Sequence, residues 1–531
     1  MPSDCPRPSD ASSGSDSHPA SRPVSRPVSP VSRVARLARL ARLARPRLTP
    51  SYVLAHVALY LLACLLLQTS PLATALPGYT GPHAVGTVDL ELPLARPVVT
   101  SPAVRKLDAS PAFRLETVLL SLYYPTAQGL RSPPRRRRHH HHHYWVPRPV
   151  HLTARGFARF AGVDNPVARC LCWLAVWLGA GFVTIPAEVD APLLPEHAGP
   201  LPVVVFSHGM AGSRTHYSHY LGELASRGVV AAAVEHRDGS SPATVVQRAA
   251  AAAAAASSSS ARPVVHFDQS DLLHPDGSAV SLPQLKAQQL AFRDAELLQA
   301  LAVLRALHAG NGSALHAASS RGEGAHLPSF RGRLDLAALV LAGHSYGATG
   351  ALQALAHPSA AHVAGAIVLD PGKQSGPLRD QVRVPLLVVH SDAWSRAATD
   401  FFGRPHFDAV RDLAAGALAR TNAAWFLTIL GTSHPSVTDA PLLYPLLMRW
   451  AAGAKLGARE ALTQYVGVSL DFIHFIKTGR RGDGMLGQNV THETYDKWVS
   501  KERQQSYPED LARLWQVHVS PAPRDQGNPM E

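Results

Sequence analysis

The chain has 531 residues, 46% hydrophobic and 17% charged, which is long for one domain, short of three, and ample for a large core. Its formal charge of +13 is local: residues 1–50 carry nine arginines against three aspartates, and Arg131 with Arg135 to Arg138 adds five, which leaves the rest nearly balanced. A body without a broad basic field argues against nucleic-acid binding. The four cysteines, Cys5, Cys64, Cys170 and Cys172, form no visible disulfide framework. No C-x-x-C or H-E-x-x-H suggests a metal site.

Residues 1–50 are Ser-, Pro- and Arg-rich and lack the apolar content for a core, so they read as a disordered leader. Tyr52 to Leu67 is an almost wholly apolar run interrupted by His56, and extended to Leu76 it reaches the roughly 20 residues that span a bilayer. Residues 51–76 are therefore expected to be a transmembrane or signal-anchor segment. Arginines precede it and none follow closely, which places the amino end in the cytosol and the body on the lumenal or extracellular side. Ala73-Thr-Ala75 also fits a signal-peptidase site, and cleavage there would give a secreted body. The sequons at Asn311 and Asn489 are compatible with either outcome.

From residue 77 to 477 the pattern is that of one α/β domain with low-complexity insertions near 131–143, 249–260 and 309–333; residues 478–531 read as a polar tail. The Arg/His tract at 135–143 reads as an exposed insertion, with metal binding as the alternative. Residues 156–185 are rich in aromatic and apolar side chains, and either pack on the core or form a membrane-touching helix beside the site.

Five apolar runs then alternate with turns. Leu201–Phe206 reads as a strand followed by Ser207-His-Gly-Met-Ala211. Leu336–Ala342 is a buried-strand pattern, followed by Gly343-His-Ser345-Tyr-Gly347 and a small-residue helix. Strand, G-x-S-x-G turn and helix together make a nucleophile elbow, with Ser345 presented at the carboxyl edge of a mostly parallel sheet carrying helices on both faces. Serine needs a base, an orienting acid and an oxyanion hole. Ala423–Leu430 is a strand, and His434 in the turn after it is the candidate base. Two aspartates follow strands between serine and histidine: Asp370 after Val363–Leu369, and Asp392 after Val384–His390. The pattern alone does not choose between them. The backbone N–H groups of Tyr346 and Met210 are the candidate oxyanion donors.

Phe206-Ser-His-Gly209, Ala232-Ala-Val-Glu-His-Arg-Asp238 and Gly343-His-Ser-Tyr-Gly347 together resemble the platelet-activating-factor acetylhydrolases of the plasma and intracellular type II group, and Gly81-Pro-His-Ala-Val-Gly86 and Leu122-Tyr-Tyr-Pro125 resemble that family's opening. The resemblance runs over roughly residues 77 to 477 and suggests a fungal or other microbial eukaryotic member. It implies an α/β-hydrolase fold and calcium-independent hydrolysis of short or oxidised sn-2 acyl esters of phospholipids, with no cofactor or metal. Its triad falls on Ser345, Asp370 and His434, its oxyanion donors on Met210 and Tyr346, and Glu235, His236 and Arg237 form a structural block. The expected partners are phospholipid and a membrane surface or lipid particle. Pro371-Gly372 departs from the family's usual residues after the acid. The alternatives are a general carboxylesterase or polyester hydrolase using Asp392, and a membrane-tethered binding protein with a dormant site.

Overall fold

A computed structural model describes residues 49–126, 142–195, 199–247 and 261–522. The leader before residue 49, most of the Arg/His tract and the Ala/Ser run at 249–260 lie outside them. The chain divides into two units, Met1–Ala63 and Cys64–Glu531. Helix α1 (Pro50–Leu67) has a mean hydropathy of 1.9 and, among the described residues, is the one helix long and apolar enough to cross a membrane. It stops at Leu67, where Gln68 turns to a positive φ of 52°, so the helix is shorter than the 51–76 segment expected.

The larger unit is built on a ten-stranded sheet. In chain order its strands are β1 (Ala84–Val99), β2 (Arg114–Thr126), β3 (Glu188–Val189), β4 (Leu201–Ser207), β5 (Val230–Val234), β6 (Leu334–His344), β7 (Gly365–Leu369), β8 (Leu386–Ser391), β9 (Ala424–Ile429) and β10 (Trp515–Val519). Their spatial order is β10-β9-β8-β7-β6-β4-β5-β2-β1-β3. The six strands from β9 to β5 are parallel, as βαβ crossovers require. The pairs β1–β2, β2–β5 and β9–β10 are antiparallel.

Period-two alternation sorts the central strands onto two faces. Val204, Phe206, Val340, Ala342, Ile367 and Trp425 pack with Tyr220, Leu221, Tyr465 and Phe472. Val203, Val205, Leu339 and Leu341 face Leu297, Leu301 and Leu304 on the other side. The covering helices used below are α2 (Val150–Phe160), α3 (Pro166–Ala180), α4 (Ser218–Ala225), α5 (Leu282–His308), α6 (Tyr346–Ala354), α7 (Asp392–Arg396), α8 (His406–Thr421), α9 (Pro445–Ala452) and α10 (Ala458–Thr478). Strands on which both faces are covered have little polar alternation, which is why they read as continuous apolar runs.

Two sequence expectations are corrected. The segment 309–333 is not a loose insertion: it forms the helix Gly312–Ala318 and buries Leu327 and Phe330 in the core. The stretch after 478 is not only a polar tail. It supplies β10, an edge strand with Trp515 and Val517 buried, and a short hairpin, His492–Thr494 with Lys497–Trp498. Its apolar residues are too few and too spaced to register as a domain element, yet they cap an otherwise open sheet edge. Trp515 is buried and donates its indole N–H to Gln464 Oε1 at 3.0 Å. Trp515→Ala should therefore cost about 3–5 kcal/mol of stability, measured as a lower urea midpoint with an unchanged slope.

Candidate active site

Ser345 stands between the last residue of β6 and the first of α6 with φ 57° and ψ −121°. Such a backbone costs a non-glycine residue on the order of 1–3 kcal/mol and persists only where the surroundings enforce it. They do so here: the Ser345 N–H donates to Leu369 O at 2.9 Å. A Cβ on Gly347 would lie 2.0 Å from Ser207 O, so only glycine lets the turn approach β4 this closely.

Two side chains complete a relay. His434 begins a short 3₁₀ turn after β9, and its Nε2 lies 3.0 Å from Ser345 Oγ. Its Nδ1 lies 2.9 Å from Asp370 Oδ2. With Nδ1 protonated it donates to the carboxylate, and Nε2 is free to accept the serine proton. Asp370 directly follows β7 with φ 44° and is 2% exposed, whereas the His434 side chain is 31% exposed. The imidazole can therefore meet a substrate and the carboxylate cannot. Asp370 also accepts from Ser391 N and Ser391 Oγ, both at 2.6 Å.

Asp392 is engaged elsewhere. Its carboxylate accepts from Gly431 N at 3.1 Å, from Arg396 Nη2 at 2.5 Å and from the Tyr495 hydroxyl. None of these partners is Ser345 or His434. His344, Asp370 and His434 offer donor atoms within 4.8 Å of one another, the spacing of a metal cluster. Both ring nitrogens of His434 already face Ser345 and Asp370, however, which is the arrangement of a proton relay.

The imidazole is held between two rings. The Trp394 indole lies flat on it, with centroids 3.9 Å apart and planes at 11°, and donates Nε1–H to Pro371 O at 3.0 Å. His344 approaches to 4.5 Å from another side. Burial, and then the neighbouring His434, hold the His344 imidazole well below its ordinary pKa, so it stays neutral. Its Nδ1 bonds the Tyr217 hydroxyl at 2.8 Å, which in turn accepts the Gly209 N–H at 3.2 Å.

The loop after β4 is drawn tightly against the serine. A Cβ on Gly209 would lie 3.0 Å from Ser345 Cβ. The next residue is Met210, whose N–H meets no protein acceptor among the described residues. As the first residue of α6, Tyr346 has an N–H without a partner in its own helix. Two cavities, about 480 Å³ around Asp294 and Arg379 and about 180 Å³ between Pro77 and Val466, share no lining residue with this site.

Glu235 to Asp238 at the end of β5 explain themselves as its foundation. Arg293 of α5 is fully buried and donates Nε to Asp238 Oδ2 at 2.8 Å, Nη1 to His208 O at 2.7 Å and Nη2 to Ser240 Oγ at 2.6 Å. Its guanidinium lies 4.4 Å from the Tyr346 ring centroid. His236 bridges Ser207 Oγ and Glu296, both at 2.7 Å. Burial pushes Glu296 up and His236 down, so that pair carries no net charge. Arg237 reaches Glu91 at 2.6 Å, and Arg214 joins Glu235 to Asp89.

Ser345, His434 and Asp370 thus lie together, Tyr346 follows the serine in the chain, the loop that carries Met210 packs against it, and Asp392 bonds elsewhere. The sequence did not point to Ser391, Trp394 or Arg293. Ser391 ends β8 and Trp394 follows it, on either side of Asp392, so that strand end was the available signal. Nothing local marked Arg293, an arginine within a 27-residue helix.

The sequence family described as platelet-activating factor acetylhydrolase, isoform II, matches residues 69–482. The chain belongs to that family. Among relatives, a putative phospholipase A2 of Schizosaccharomyces pombe is 28% identical over 284 residues, 51% of this chain and 57% of that protein. The platelet-activating factor acetylhydrolase of Canis lupus familiaris is 34% identical over 125 residues, 24% of each chain. The chain therefore covers less than two thirds of the length of these relatives. A ferulic acid esterase of known structure from Streptomyces cinnamoneus is a distant likeness, with TM-score 0.46 and 17% identity over 84% of this chain and 99% of that one.

Burial pushes the Asp89 carboxyl up, but the Arg214 guanidinium, with His143 and Ser121, outweighs it and holds the group far below the usual range. A depressed carboxylate adds stability that is fully present above its unfolded pKa of about 4 and is lost as pH falls toward the folded value. Asp89→Asn should thus cost about 3 kcal/mol at neutral pH. Urea titrations should show the gap between the two proteins closing below pH of about 4.

Proposed function

We propose that the chain is a calcium-independent serine esterase acting on the sn-2 acetyl, short or oxidised acyl ester of glycerophospholipids. The observation that carries this reading is the continuous relay Ser345–His434–Asp370 at 3.0 and 2.9 Å, at the end of a strained elbow, in a member of this family. Ser345 Oγ attacks the ester carbonyl while His434 Nε2 takes its proton. Asp370 holds the tautomer and stabilises the imidazolium, and Ser391 orients Asp370. The Met210 and Tyr346 N–H groups receive the tetrahedral oxyanion, each donor being worth roughly 3–4 kcal/mol. His434 then protonates the leaving alcohol, and water repeats the cycle on the acyl-serine.

The bonding of Asp392 to Gly431, Arg396 and Tyr495 favours Asp370 as the acid over the esterase alternative. Acetate release from a short-chain sn-2 phospholipid, with chelator present, tests the reading. Ser345→Ala and Asp370→Asn should lose several orders of magnitude in kcat. Asp392→Asn should lose no more than about tenfold. Wild-type protein inactive on phospholipid but active on aryl esters would withdraw the substrate class.

The proposed partner is a lipid surface, and it is supported by where apolar side chains stay uncovered. On α3, Val167, Leu171, Trp173 and Leu174 are exposed; on α9, Leu446 and Trp450 are each 84% exposed. The chain that follows α1 runs between these elements: Leu72 N bonds Leu178 O, and Thr74 N bonds Leu443 O. Exposed apolar and aromatic faces of this kind seat a helix in the headgroup boundary of a bilayer, and the arginines before α1 favour a cytosolic amino end. Trp173→Ala with Trp450→Ala should weaken sedimentation with phosphatidylcholine vesicles while leaving hydrolysis of a soluble aryl ester within about twofold.

A further inference from the structure

Residues beyond 482 lie outside the segment that the family matches, yet one of them is tied by hydrogen bonds to the turn that carries His434. The catalytic imidazole must keep both nitrogens aligned at once, and the flat face of Trp394 at 3.9 Å restricts its rotation. Trp394 belongs to α7, five residues long and far too short to hold its own conformation. Tertiary bonds must fix it. Asp392 N donates to Thr432 Oγ1 at 3.2 Å, and Ala393 N to Thr432 O at 3.1 Å. The Asp392 carboxylate does more, because its Oδ2 accepts the Gly431 N–H that opens the His434 turn. One side chain thus grips both the backbone that carries His434 and the helix that carries its stacking ring.

That carboxylate is buried, with its side chain 7% exposed, and its other oxygen, Oδ1, accepts from the Tyr495 hydroxyl. Tyr495 sits in the turn of the hairpin between His492–Thr494 and Lys497–Trp498. The hairpin is tied back to the edge strand: Asp496 and Gln516 exchange bonds at 3.2 and 2.7 Å, and Thr491 N donates to Val517 O at 2.9 Å. We infer that Tyr495 is a positioning residue for the base, fixing through Asp392 both the His434 turn and the Trp394 ring that aligns its imidazole. Burial, with the Asp392 contact adding to it, pushes the phenol up to about 12, so it remains a donor throughout the working range. The inference rests on the esterase reading for His434's role, but not on the identity of the ester.

The test is steady-state hydrolysis of p-nitrophenyl acetate, with fluorophosphonate labelling rates, on the full chain. Tyr495→Phe, which deletes only the hydroxyl, should lower kcat about tenfold with KM within about twofold. Trp394→Leu should lower it at least as much. In the double variant Tyr495→Phe should cost clearly less than it does alone, because part of its effect passes through the same ring. Lys497→Ala, on the exposed side of the hairpin, serves as a control expected to match wild type. Thermal melts separate misfolding from misalignment, and if Tyr495→Phe fails to fold, Asp392→Asn carries the same cycle with Trp394→Leu. A Tyr495→Phe enzyme with wild-type kcat, or losses that simply multiply in the double variant, would overturn the inference. Wild type that cleaves the aryl ester but no phospholipid removes the substrate class and leaves this inference standing. Wild type inert to both ester and fluorophosphonate sinks both.

Discussion

A guanidinium with no access to water lies beneath the candidate site, and the geometry above it depends on that charge being fully satisfied. Arg293 is held by Asp238, and both are completely buried. Moving such an ion from water is expensive, and the cost is offset only if every donor is placed. The donors therefore dictate positions: one fixes the carbonyl of His208 just before Gly209 and Met210, another fixes Ser240, and the planar face lies against Tyr346. The two backbone N–H groups proposed to receive the oxyanion come from residues that follow separate strands, β4 and β6. The buried cation gives those strands a common reference, and removing either member of the pair would leave an unpaired charge in the core.

The two aspartates show how close the sequence came to deciding the relay. Both follow parallel strands and both are buried, so burial and strand position cannot separate them. Direction does. Asp370 leaves β7 with a positive φ and turns toward His434, with Ser391 donating to it twice from the neighbouring strand. Asp392 begins a helical turn and faces the base of the His434 loop instead. A positive φ at an aspartate leaves no trace in composition or periodicity, so the choice was legible only through family resemblance.

The same distinction governs the rest of the fold. Val203 to Phe206, Leu339 to Ala342 and Trp425 to Leu427 were readable as strands because a buried parallel strand is apolar on both sides. The elbow was readable because Gly343 and Gly347 mark a close approach. β10 was not, since Trp515, Val517 and Val519 alternate with Gln516 and His518 inside a polar stretch. Trp394 escaped notice for another reason: its value comes from a ring 40 residues later in the chain, and stacking has no sequence period.

The low-complexity segments gain a physical explanation from two acids on β1. His143, at the end of the Arg/His tract, bonds Glu323 Oε1 at 2.9 Å and faces Asp89. Gln247, where the Ala/Ser run begins, donates its N–H to Glu91 Oε1 at 2.8 Å. From the third segment, Arg321 bonds Glu91 Oε2 and Glu323 accepts the Asp89 N–H. All three segments are therefore rooted on the Asp89–Glu91 stretch, which Arg214 and Arg237 tie to Glu235 and the β5 end. Lengthening a loop whose ends are already fixed costs little, about 0.6 kcal/mol per doubling. The Arg/His and Ala/Ser insertions can thus lengthen from pinned roots without disturbing the strand ends that carry Ser345, Asp370 and His434, because the charges that pin the roots also brace the loop after β4.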